Sequence, residues 1–263
     1  MRPVALTIAG SDPSGGAGIQ ADLKTFHQFG VYGEAVITLV TVQNTVRVSR
    51  VEVLAPALVM EQIAAVLEDI PPAAAKTGAL GSAEMVAAVA RAAADFTFPL
   101  VVDPVMVSKH GLPLLPGDAV SAVRDLLLPR AALLTPNVPE AEALTGWAIR
   151  TVEDMRRAAC RLHEMGARAV LLKGGHLAGN SNGVIDVLFD GLDWHEWGAA
   201  RVDTPHTHGT GCTYSAAIAA GLAAGRPLAD AVARAKRYLH QAIGTNPGLG
   251  RGSGPINHHA EVV

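Results

Sequence analysis

Short apolar runs that alternate with amphipathic stretches constrain this chain more than any other feature. Residues 4–9 (VALTIA), 34–43 (EAVITLVTVQ), 73–76, 100–103, 131–134 and 169–173 are apolar and often β-branched, and most lead into a segment of helical periodicity. Continuous apolar strands separated by helices form βαβ units, whose parallel sheet is covered on both faces. The spacing therefore predicts an α/β fold with helices over 17–29, 57–69, 83–94 and 117–128, after Pro136, after Thr151, and over 212–224 and 228–243. Two more strands are expected at 184–189 and 194–202. No linker interrupts the 263 residues, so a single domain over 1–263 is expected. The glycine-rich segment 244–263 reads as a mobile tail or one that lies over the site, with His258 and His259 solvated rather than bound to metal.

Composition narrows the partners. A formal net charge of -3 with scattered Lys and Arg argues against nucleic acid. The longest apolar helical run is too short for a membrane span, which takes roughly 20 residues. Two cysteines, Cys160 and Cys212, form no disulfide framework, and no export signal precedes the first strand. A cytoplasmic protein is expected.

In parallel α/β sheets, ligands sit beyond the C-terminal strand ends, and this chain places its polar residues there. The richest stretch is 201–225 (RVDTPHTHGTGCTYSAAIAAGLAAG), a loop feeding an Ala-rich buried helix. Gly209 and Gly211 permit a tight turn in which successive N–H groups converge at the positive helix end, a fit for a negative charge. Cys212 in the first turn is expected to have a lowered thiol pKa, making it a candidate proton acceptor. A glycine turn with a small buried Cys is the plainer alternative.

Other strand ends add chemistry. Gly16-Ala17-Gly18 opens a G-x-G-x-x-A match, but the second strand ends in Gln43 rather than an acid, which weighs against a dinucleotide site. Gln43 closes an apolar strand; its amide offers a donor beside an acceptor, which matches an aminopyrimidine edge or simply a neighbouring loop. Asp103 and Glu140 are placed to support Mg2+ beside nucleotide phosphates, although an acid at Glu140 stabilises a helix start anyway. Lys173 follows a buried strand, where a cation neutralises a phosphoryl group or remains a solvated loop lysine.

GSDPSGGAGIQADLKT (10–25), Gln43-Asn44-Thr45, Lys76-Thr77-Gly78, DPVMVSKHG (103–111), TPNVPEAE (135–142), LKGGH (172–176), DVLFD (186–190) and THGTGCT (207–213) resemble the hydroxymethylpyrimidine/phosphomethylpyrimidine kinases of thiamine biosynthesis, members of the ribokinase-like superfamily. The resemblance spans 4–243 and implies a three-layer α/β/α fold with a central, mostly parallel sheet. It implies two MgATP-dependent phosphorylations, of 4-amino-5-hydroxymethyl-2-methylpyrimidine and then of its monophosphate. By the same resemblance, Gln43 binds the ring edge, with Gly10, Ala17, Asp22 and Val107 lining its pocket. Gly209, Thr210 and Gly211 form the anion hole, Cys212 is the base, Asp103 and Glu140 support Mg2+, and Lys173 and Asn137 meet ATP. A homodimer involving 43–53 is also implied.

Three departures stand out: Ala79 replaces a usual Met, Arg47 a usual Gly, and His110 a small residue. A pyridoxal or pyridoxine kinase is the alternative within the superfamily. A non-catalytic pyrimidine sensor and a nicotinamide oxidoreductase are alternatives of other classes.

Overall fold

The structure is a computed structural model that describes residues 2–109, 111–177 and 183–262. His110 thus lies outside the described residues. In chain order the elements are β1 (Val4–Ser11), α1 (Gly18–Gln28), β2 (Tyr32–Gln43), β3 (Val48–Val53), α2 (Pro56–Asp69), β4 (Ala74–Thr77), α3 (Ala83–Ala93) and β5 (Leu100–Val102). There follow α4 (Gly117–Ala122), β6 (Leu133–Leu134), α5 (Val138–Thr145), α6 (Val152–Glu164), β7 (Val170–Leu172), β8 (Val184–Phe189), β9 (Trp194–Ala199), α7 (Thr210–Ala223) and α8 (Leu228–Gly244). The helix expected over 117–128 is shorter: after Ala122 the chain widens into a π turn and then tightens into a 3-10 turn ending at Arg130.

The strands form one nine-stranded sheet in the order β3-β2-β1-β4-β5-β6-β7-β8-β9. Pairing is parallel from β2 through β7 and antiparallel at both margins, β2 with β3 and β7 with β8 and β9. The central strands β4, β5, β6 and β7 are buried throughout, which accounts for their unbroken apolar sequence. One core holds residues from α2, α3, α5 and α6, and a second on the opposite face holds Phe26 of α1 with α7 and α8. This is the three-layer α/β/α arrangement.

Helix α7 has almost no polar face because it is enclosed: 213–221 are all buried, against the sheet, α1 and α8. Its Ala-rich sequence lets neighbours approach closely on every side. Chain order reverses at β1, whose neighbours are β2 on one side and β4 on the other. The crevice beyond that switch point is where such sheets take ligands.

The tail from 244 is packed against the body. His208 N–H donates to Gly254 O at 3.1 Å, Gln28 Nε2 to Ala260 O at 2.9 Å, and Ile256, His258 and Ala260 are buried. His258, expected in solvent, instead meets Thr213 Oγ1 through Nε2 at 3.1 Å. Burial among positive neighbours such as Lys24 pushes its pKa down to about 4.

Candidate active site

The strand-end loops enclose one cavity of about 320 Å³. Gln43, at the end of β2, and Cys212, in the first turn of α7, both line it. So do Gly10, Ala17, Val107, Asp103, Asn137, Glu140 and Lys173, together with Gly209, Thr210 and Gly211.

At the α7 end, Gly209 takes a φ of +85° as the helix N-cap, and any side chain there would collide with the Gly16 carbonyl. Only glycine lets the two loops meet so closely. The first-turn N–H groups of a helix have no partner within it and carry the positive end of the dipole. Gly211 faces the Lys173–Asp103 ion pair, since a Cβ there would lie 3.6 Å from Lys173 Nζ and 3.7 Å from Asp103 Oδ2. Lys173 Nζ is 3.0 Å from Asp103 Oδ1. Burial alone would lower the Lys173 pKa, but Asp103 and Glu140 outweigh it and hold the group above its ordinary value. The lysine is aimed by its surroundings: its N–H donates to Pro136 O at 2.8 Å, and the next N–H, of Gly174, donates to Asp186 Oδ1 at 3.0 Å. Asp186 is in turn fixed by Lys236 at 2.6 Å.

Glu140 fulfils the capping role: Asn137 N–H donates to its Oε2 at 2.8 Å while Asn137 Oδ1 accepts from Glu140 N–H at 2.9 Å. Burial, opposed by Lys173 and reinforced by Asp103, pushes its pKa up to about 7. Asp103 and Glu140 thus form an oxygen donor set on the same wall, the chemistry Mg2+ prefers. Among the described residues no group of three or more His, Cys, Asp or Glu could hold a metal, so further ligands would have to come from nucleotide and water.

Two expectations are corrected. The Cys212 pKa is not lowered but pushed up to about 12, because burial dominates and Asp22 and Asp103 reinforce it, against Lys76 and a hydrogen bond from the Gly18 main chain. Burial thus outweighs Lys76 and the Gly18 hydrogen bond, and the resting group is a thiol. Asp22 does not line the cavity: it is completely buried and bound to Lys76 Nζ at 3.1 Å and Thr7 Oγ1 at 2.6 Å. Burial would lower the Lys76 pKa, but the Asp22 carboxylate lifts it above its ordinary value.

The departures from the family pattern have defined places. Ala79 lines the cavity, its carbonyl accepting from Thr38 Oγ1 at 2.6 Å. Arg47 keeps the turn without a positive φ: its N–H donates to Asn44 Oδ1 at 3.0 Å and its carbonyl accepts from Asn44 N–H at 3.0 Å. Glycine is not required there. Two lining residues lie within motifs read from the sequence but with no local signal for their pairing: Asp12 and His208, joined Oδ2 to Nε2 at 2.7 Å across a separation of 196 residues.

The profile described as "Phosphomethylpyrimidine kinase" matches residues 12–257. The chain belongs to the phosphomethylpyrimidine kinase family. This kinase is 46% identical over 257 residues to the hydroxymethylpyrimidine/phosphomethylpyrimidine kinase of Bacillus subtilis, covering 97% of this chain and 94% of the other. It is 52% identical over 259 residues to a thiamine biosynthesis bifunctional protein of Geobacter sulfurreducens, of which it spans 52% and which covers 98% of it. Among solved structures, the ADP complex of Bacillus subtilis pyridoxal kinase superposes with a TM-score of 0.90 at 36% identity, over 99% of this chain and 98% of that one. The phosphomethylpyrimidine kinase of Clostridium difficile does so with a TM-score of 0.82 at 43% identity, over 92% and 100%. Among the described residues of the kinase no helix is long and apolar enough to cross a membrane.

Proposed function

We propose that this kinase transfers the γ-phosphoryl group of ATP first to the hydroxyl of 4-amino-5-hydroxymethyl-2-methylpyrimidine and then to the resulting monophosphate. The observation that carries this reading is the shared cavity: an amide that matches an aminopyrimidine edge faces the same space as an anion-binding helix start. Gln43, with Gly10, Ala17 and Val107, takes the ring. The N–H groups of Gly209, Thr210 and Gly211, with Lys173, stabilise the transferring phosphoryl group, and Asn137 meets ATP. Mg2+ held by Asp103 and Glu140, in part through water, would neutralise phosphate charge.

Cys212 handles the proton of the first acceptor. Since its thiol rests protonated, the balanced step is a relay: the alcohol hydrogen passes to Sγ while the Sγ hydrogen passes to an oxygen of the incoming phosphoryl group. The new O–P bond forms as the bond to the ADP oxygen breaks. The second acceptor is a phosphate, largely ionised near neutral pH because its second pKa is about 6, so it needs no such relay. The single-domain organisation, cytoplasmic setting and homodimer belong to the same reading; exposed Val40, Val42 and Val46 beside the marginal strand β3 support the dimer.

A pyridoxal kinase is the second reading, favoured by the superposition on that enzyme and by the small Ala79 in the cavity wall. Steady-state kinetics with MgATP and each acceptor decides between them. Higher kcat/KM for the aminopyrimidine supports the first reading; higher kcat/KM for pyridoxal overturns it.

A further inference from the structure

Asp12 and His208 sit against Gln43 in an arrangement that dictates which way its amide points. His208 Nε2 lies 2.7 Å from Asp12 Oδ2 and, with the carboxamide as placed in the structure, 3.1 Å from Gln43 Nε2. Asp12 Oδ2 also accepts from Ala17 N–H at 2.9 Å, and Oδ1 from Ser14 N–H at 2.9 Å. Burial alone would raise the Asp12 pKa; the His208 and Ser14 hydrogen bonds outweigh it and hold the carboxyl below its ordinary range. An ionised oxygen 2.7 Å from a ring nitrogen requires the hydrogen to be on that nitrogen, so Nε2 is a donor.

The one hydrogen on Nε2 goes chiefly to Asp12, and the polarised N–H still repels an amide NH2 and favours an amide oxygen, so the carboxamide as placed sets two donor nitrogens 3.1 Å apart. As placed, Gln43 Oε1 lies 3.3 Å from Thr41 Oγ1, but that hydroxyl has one hydrogen and the shorter contact, 3.0 Å to Ser11 O, takes it. That hydroxyl is left as an acceptor, which suits an amide NH2 and not an amide oxygen. The two ends of a carboxamide have the same shape, so hydrogen bonds decide between them. Both neighbours select the same orientation.

The His208 ring is itself confined. Gly16 has no side chain where the ring packs, and Pro255 of the tail lies beside it. Its main chain is tied to Gly254.

We propose that the Asp12–His208 pair is a specificity device that locks the Gln43 carboxamide with its oxygen toward His208 and its NH2 toward Thr41, so that the cavity accepts rings presenting an amino donor beside an unprotonated ring nitrogen. His208 is a positioning residue acting through Gln43. This rests on the aminopyrimidine reading above and deepens it. The ring is oriented with its 4-amino group on the His208 side and its N3 on the Thr41 side. A 4-oxo ring, with the donor on N3 and the acceptor outside, meets the locked amide the wrong way round.

The test measures kcat/KM for the 4-amino substrate and its 4-oxo analogue in the wild type, His208→Phe and His208→Gln. A correctly placed bidentate edge discriminates by about 10- to 100-fold. The wild type is expected to favour the amino ring by that factor. His208→Phe should lose most of the preference through KM rather than kcat, and His208→Gln, which restores an N–H, should recover it. Undiminished preference in His208→Phe overturns the proposal. The nitrogen-15 shift of His208 in the wild type is a second readout that does not depend on the variants folding. A hydrogen on Nε2 supports the lock, and an unprotonated Nε2 overturns it. A wild type inactive on the amino ring defeats the substrate reading, and the nitrogen shift then decides the amide orientation by itself.

Discussion

Lys76 and Lys173 each pair with an aspartate at almost the same distance, 3.1 Å to Asp22 and 3.0 Å to Asp103, yet they occupy opposite situations. Lys76 and Asp22 are both 0% exposed, sealed behind Gly78, whereas Lys173 is 13% exposed and opens on the cavity. The length of an ion pair thus says little about its role. A sealed pair cannot exchange partners without leaving a charge unmatched in the interior, so Lys76 holds the floor together and tunes its field. Lys173 can turn from Asp103 to a phosphate. The sealed pair also bears on Cys212, since Lys76 pulls the thiol pKa down while Asp22 pulls it up.

The sharpest way to break this comparison is Lys76→Met. It strands Asp22 in the core and is expected to destabilise by roughly 3–5 kcal/mol, read from the denaturant midpoint at constant m. Lys173→Met should instead lower kcat by roughly 10²–10³-fold and cost only about 1 kcal/mol of stability, because Asp103 keeps Thr135 and Ser215 as partners. Equal stability losses in the two variants would erase the distinction.

Cys212→Ala sharpens it further, by testing what the floor's field acts on. The first phosphorylation should slow by about 10²-fold and the second by much less, measured with each acceptor separately. Equal slowing would reduce Cys212 to a residue that only positions the acceptor.

The smallest effect comes from His258, a buried base with positive rather than negative neighbours. Its folded pKa of about 4 lies below the ordinary 6.5, so the unfolded chain binds more protons between these values. Stability is therefore full above about pH 6.5 and falls as pH drops toward 4. At pH 5.5 the loss should be about 1 kcal/mol, and His258→Gln should flatten that part of the profile. An unchanged slope would remove His258 from the account.

These regions also differ in how legible they were. The phosphate end was readable because each component ends a strand or starts a helix within a few residues of a glycine or proline: Asp103 before Pro104, Lys173 before Gly174, Cys212 after Gly211. Helix count and most strand positions followed from periodicity for the same local reason, whereas the order of strands in the sheet and the added strand β3 did not. Asp12–His208 and Thr213–His258 were not readable, since their partners lie 196 and 45 residues apart and meet only in the folded chain. The Cys212 pKa was misjudged because the helix start is a local signal, whereas the desolvation and the carboxylates that raise it come from elements distant in sequence, Asp22 on α1 and Asp103 after β5. Asp22 was misplaced in the cavity because its motif lies beside the site while its side chain points beneath it.

The most direct test of the central claim is a phosphorus-31 time course with this kinase as the sole enzyme, MgATP and 4-amino-5-hydroxymethyl-2-methylpyrimidine. One cavity serving both acceptors predicts that the monophosphate signal rises first and then gives way to the diphosphate. A monophosphate that accumulates without conversion, or no phosphorylated pyrimidine at all, would contradict it.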